Sequence, residues 1–118
     1  MIDQAVQQSH HRIPSIRHSH AIILFKANIG SLVKNEMVQH TLAESMDILE
    51  ECYKDDKRKT YHALTFADQA SQYWEIYPGD RAKTYLLTAQ KWLTEEIKYS
   101  PWHRNLKYQL RRIQMLLK

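Results

Sequence analysis

From Pro14 onward, apolar residues recur every three or four positions, the spacing that gathers side chains on one face of an α-helix. A first helix is predicted over residues 15–34, with Ala21, Leu24, Phe25, Asn28 and Leu32 on one stripe. Ile22, Ile29 and Val33 widen that stripe, and Gly30 implies either a close contact or an early end to the helix. A second helix follows over 36–54 on Val38, Leu42, Met46, Leu49 and Tyr53, with Asn35 as its N-cap. Asp55 and Asp56 are placed to cap a third helix over 57–76, lined by Ala63, Phe66, Ala67, Ala70 and Trp74. Tyr77-Pro78-Gly79-Asp80 reads as a turn, with Asp80 capping a fourth helix over 81–99. Ser100-Pro101 is a start signal for a fifth helix over 101–117, whose stripe is Trp102, Leu106, Leu110, Ile113 and Leu117.

The expected fold class is therefore all-α, with about five helices in stacked antiparallel hairpins, as a right-handed superhelix or a compact bundle. Residues 1–13 are Gln-, His- and Ser-rich without apolar periodicity and are expected to be a flexible segment. Residues 14–118 are expected to form a single helical domain made of hairpin 15–54, hairpin 57–99 and a capping helix 101–117.

The two hairpins resemble each other. His20-Ala21 with Leu24 matches His62-Ala63 with Phe66 at an offset of 42, and Ile48 to Lys54 matches Trp92 to Lys98 at an offset of 44. A period in the low forties with two helices per unit is the mark of a helical-hairpin repeat. Ala89, Leu93 and Pro101 stand at the spacing of the small, large apolar and terminal proline positions of tetratricopeptide-type repeats, which residues 57–102 resemble. The helices are longer than in that family, Pro78-Gly79 falls later, and Glu96 stands where a small residue belongs; HEAT-type hairpins are the close alternative. The stretch from Tyr61-His62-Ala63 through Tyr73-Trp74 to Pro101-Trp102-His103-Arg104 is also similar to C-terminal helical repeats of bacterial sensor NTPases and anti-phage defence proteins. These resemblances imply a recognition module and no catalytic centre.

Composition narrows the picture. Two glycines and three prolines in 118 residues are too few for a β-sandwich or a Rossmann fold, and they leave no glycine-rich phosphate loop. The longest apolar run, Ala21 to Phe25, is far short of the roughly 20 residues of a membrane span. One cysteine allows no internal disulfide and fits a reducing compartment, so a cytoplasmic location is expected. The net charge of +4 is polarised: residues 1–57 sum to −2 and residues 58–118 to +6, and from Pro101 to Lys118 there are five basic residues and no acid.

Candidate chemistry is sparse. His10, His11, His18 and His20 lack the spacing of a zinc site, no cofactor motif is present, and no small-molecule substrate is implied. Arg12 and His18, with five residues between them, resemble the ribonuclease motif of small helical HEPN proteins, but Pro14 between them breaks the helix that should carry both. Cys52 beside the second stripe reads as a packing thiol, and Glu50-Glu51 and Glu95-Glu96 as solvated charge. The strongest candidate is the basic face of the fifth helix, Arg104, Lys107, Arg111 and Arg112, with Tyr108 beside them; its bland counterpart is a solvated capping helix. Tyr73 and Trp92, at the edges of their stripes, are candidates for an aromatic contact surface.

The leading expectation is a non-enzymatic interaction or assembly module, binding a protein partner or itself, as a C-terminal part of a larger bacterial defence-type protein. Nucleic-acid binding through the basic helix is the first alternative, and a small helical ribonuclease the second.

Overall fold

A computed structural model describes residues 14–31, 35–57 and 59–118. Five helices are found among them and no strand: α1 (Pro14–Ile29), α2 (Glu36–Asp55), α3 (Lys59–Ile76), α4 (Asp80–Tyr99) and α5 (Arg104–Leu116). The all-α class is the one the apolar periodicity predicts. The helices fall into two compact units, residues 1–57 holding α1 and α2, and residues 58–118 holding α3, α4 and α5. The N-terminal segment 1–13, with Arg12, His10 and His11, and also Leu32, Val33 and Arg58, lie outside the described residues.

In the first unit, α1 stops at Ile29, five residues before the predicted end. Gly30 is not held by a close contact, since a Cβ there would meet nothing within 4 Å, so of the two explanations for this glycine the early end holds. Asn35 caps α2 as its sequence position requires: its backbone is extended and its Oδ1 accepts the Val38 N–H at 3.0 Å, satisfying one of the amides a helix start leaves unpaired. Asp56 closes the same helix, donating its N–H to the Cys52 carbonyl, and so is not the cap of α3 that the sequence suggested. The pairing of α1 and α2 is antiparallel. Arg17, in the first turn of α1, reaches Glu51 at 2.7 Å and Asp55 at 3.4 Å in the last turn of α2, while mid-helix Ser45 Oγ donates to the Ala21 carbonyl at 2.6 Å. Ala21, Phe25, Leu42, Met46, Leu49 and Cys52 form the buried seam between them. Each large side chain sealed there contributes about 1.5–3 kcal/mol of transfer free energy.

In the second unit, α3 packs against both α4 and α5, and α4 packs against α5. Because α3 is covered by two helices, its buried positions form a broad face, His62, Ala63, Phe66, Ala67, Gln69, Ala70, Ser71 and Tyr73, spanning about half of the helix circumference at about 100° per residue. The alanines let neighbouring backbones approach, and the aromatic rings fill what is left. Phe66 lies 4.6 Å from Trp92 and meets Tyr85 edge-on at 6.1 Å, and Tyr73 meets Tyr85 edge-on at 5.3 Å. Gly79 has φ +152°, a conformation that favours glycine, and it stands at the N-cap of α4 without a side-chain cap. Asp80 is therefore the first residue of α4 and not its cap. It still favours the helix start, where a carboxylate faces the positive end of the dipole.

The junction before α5 differs most from expectation. Ser100 ends α4, donating its N–H to the Glu96 carbonyl, and Pro101-Trp102 form a turn. α5 begins only after His103, whose Nδ1 accepts the Leu106 N–H at 3.3 Å. Leu106 and Ile113 carry the inward stripe of α5, but Trp102 does not belong to it.

Leu42 and Leu86, Ser45 and Ala89, Leu49 and Leu93, and Cys52 and Glu96 are buried pairs, each separated by 44 residues, so α2 and α4 bury the same register of their lengths. No helix among the described residues is long and apolar enough to cross a membrane.

Candidate functional site

The outer face of α5 is the most distinctive surface of the second unit. Turning about 100° per residue, a helix brings positions 104, 107, 108, 111 and 115 into one stripe and sends 106 and 113 to the opposite side. Leu106 and Ile113 are fully buried, and Arg104, Lys107, Tyr108, Arg111 and Met115 are exposed. Among the described residues none of Arg104, Lys107 and Arg111 takes part in an ion pair, and no acidic residue occurs between Pro101 and Lys118 to neutralise them. Their mutual repulsion is tolerable only because water screens it, and an approaching anion meets their charges uncompensated.

Arg112, the fourth basic residue expected on this face, has a different task. It sits at the flank of the helix, and its Nη1 donates to Asp68 Oδ1 of α3 at 3.0 Å. It ties α5 to α3, leaving Arg104, Lys107 and Arg111 as the basic stripe.

The aromatic contact surface expected of Tyr73 and Trp92 is not present in the second unit. Tyr73 is 1% exposed and Trp92 7%, both engaged in the ring cluster with Phe66 and Tyr85. Burial raises the Tyr73 phenol above its ordinary pKa, with the Arg81 charge and hydrogen bond opposing the rise. Edge positions on a stripe are exposed when a helix has one neighbour; α3, which carries Tyr73, and α4, which carries Trp92, each have two. The exposed aromatics of the second unit are instead Tyr61 on α3, Tyr99 at the end of α4, Trp102 at 76% and Tyr108 at 62%. The sequence clue to Trp102 was the serine–proline pair before it: a helix starting at Ser100 turns Trp102 inward, and one starting at His103 leaves it in the turn.

Glu96, expected to be solvated, is taken inside. It is 8% exposed and accepts a hydrogen bond from Thr60 Oγ1 at 3.0 Å. Glu95, its neighbour, stays in water beside Lys98. In the first unit, Glu51 faces water but holds the buried Arg17.

His18 and His62 are both fully buried. His18 lies inside α1, and its sequence partner Arg12 is outside the described residues. No three His, Cys, Asp or Glu side chains among the described residues converge as a metal site would require. Cys52 is buried, and its thiol is raised above the ordinary value mainly by desolvation, with the Arg17 charge pulling it down and Asp56, Glu51 and Asp55 pushing it up. A protonated, enclosed thiol is a packing group.

In comparisons with known proteins, no family model matches the chain, and neither a curated protein nor a solved structure is significantly similar to it.

Proposed function

We propose that this chain is a non-catalytic binding module of helical-hairpin repeats, with α5 as its terminal helix, and that it acts by holding an anionic macromolecule on the outer face of that helix. The observation that carries the reading is the stripe Arg104, Lys107 and Arg111: three exposed cations on one face with no acid in the segment. A terminal helix needs a polar outer face for solubility, but solubility alone is served by mixed charge. A single-signed face steers oppositely charged partners.

The interval of 44 residues between matched buried positions of α2 and α4 supports the repeat reading, and with it the tetratricopeptide-like resemblance. The similarity to C-terminal repeats of bacterial sensor NTPases and anti-phage defence proteins would make the module a part of a larger defence-type protein. On that reading the module recognises and another domain responds.

The test is retention on immobilised heparin, a polyanion without sequence, at about 50 mM salt, where charge contacts are weakly screened. The parent protein is expected to be retained and an Arg104→Glu/Arg111→Glu variant to flow through. Equal elution of the two proteins overturns the reading.

A further inference from the structure

We infer that the anionic partner is a single-stranded nucleic acid, its phosphates held by Arg104, Lys107 and Arg111 and its bases stacked on Tyr108 and Trp102. This rests on the binding face proposed above and adds the chemistry of the ligand. The basic stripe alone fits any polyanion. What narrows it is the pair of aromatic side chains among the cations: Tyr108 lies within the stripe, one turn after Arg104 and three residues before Arg111, and Trp102 stands in the turn two residues before Arg104.

A large indole left 76% exposed and a phenol left 62% exposed bury little of their own apolar area in this chain. An acidic peptide would use the cations and gain little from either ring. Unpaired bases use both kinds of group, because every base has a π-face for stacking while its phosphate meets a guanidinium or ammonium. Two of the three cations are arginines, whose planar fork matches phosphate oxygens in pairs. Duplex nucleic acid fits less well. Its bases are stacked on each other and present only edges in the grooves, so the rings would have no face to meet. An anionic membrane is a poor match too, since the apolar side of α5, Leu106 and Ile113, is already spent on the core. The 13 residues of α5 run for about 20 Å at the usual rise per residue, room for a short single-stranded segment.

The experiment uses the full chain with 5′-fluorescein-labelled U15 and dT15, a 15-base-pair duplex, and a glutamate-rich peptide, read by fluorescence anisotropy. Both single strands are expected to bind more tightly than the duplex and the peptide, and a preference between U15 and dT15 assigns RNA or DNA. With three phosphate contacts, affinity for the single strands should fall roughly 20-fold between 50 and 200 mM salt. Trp102→Ala and Tyr108→Ala should each weaken binding about fivefold or more while leaving heparin retention unchanged. Both residues are exposed, so helicity by circular dichroism should match the parent. Stacking should also quench tryptophan fluorescence, and Trp102→Phe should abolish the quench while keeping most of the affinity. If heparin and the acidic peptide bind but the single strands do not, or if the aromatic variants bind them as the parent does, the nucleic-acid assignment is wrong and the anion-binding face stands. If none of the polyanions binds at 50 mM salt, both are wrong.

Discussion

The two glycines of this chain should respond to the same substitution with opposite sign. Gly79 stands at φ +152°, ψ −169°, where an L-residue is strained, and a Cβ placed there would touch nothing within 4 Å. Any cost of Gly79→Ala is therefore conformational and not steric. Holding a non-glycine residue in so sparsely populated a region costs on the order of 1–3 kcal/mol. Gly30 is equally open but does not have a positive φ, so Gly30→Ala should be neutral or stabilising by up to about 1 kcal/mol through the lower entropy of the unfolded chain. Trp74, Trp92 and Trp102 all belong to the second unit, so tryptophan fluorescence during urea unfolding reports the unit that contains Gly79. Far-ultraviolet circular dichroism follows both units. The fluorescence midpoint should fall in Gly79→Ala and stay in place in Gly30→Ala. A D-alanine at position 79, introduced by synthesis, should recover most of the loss because its preferred φ is positive. If the L-alanine variant unfolds within about 0.3 kcal/mol of the parent, or if the D-residue fails to recover it, the account of this turn is wrong.

Other consequences are testable in the same way. Phe66→Ala removes the ring that joins Trp92 and Tyr85 and should cost about 3–5 kcal/mol, with loss of near-ultraviolet circular dichroism from the second unit. Cys52 should react with a thiol reagent only after denaturant is added. Its raised pKa also sets a sign for stability: the contribution is complete below the unfolded thiol value of 9.0 and declines as pH rises through the higher folded value, so Cys52→Ala should flatten the stability profile in that alkaline range even if its baseline is lower. Asp68→Asn weakens a part-exposed pair with Arg112 and should cost less than about 1 kcal/mol. It also removes a negative charge beside α5, so retention on heparin should increase; unchanged or weaker retention would argue against electrostatic binding at that face.

Much of this architecture was legible locally. Helix order, the Asn35 cap and the Pro78-Gly79 turn depend on residues within a few positions of one another, and so does the opposition of Leu106 and Ile113 to Arg104, Lys107 and Arg111 on α5. Such features follow from backbone geometry and the 3.6-residue period, which a single sequence displays. The departures begin where a second neighbour or a competing hydrogen bond intervenes. Tyr73 and Trp92 are at stripe edges, but α3 and α4 pack against each other and both against α5, so both rings go inside. Glu96 looks like half of a solvated pair until Thr60 from α3 supplies a hydrogen bond. Arg112 looks like a member of the basic face until Asp68, 44 positions away, takes its guanidinium. Trp102 looks like core until His103 accepts the Leu106 amide and delays the helix past it. The sequence by itself determined the helices and the sign of charge on the last of them, because period and composition are local properties. Only the tertiary structure decided which cations and rings of that region face water, because exposure depends on what the other helices cover.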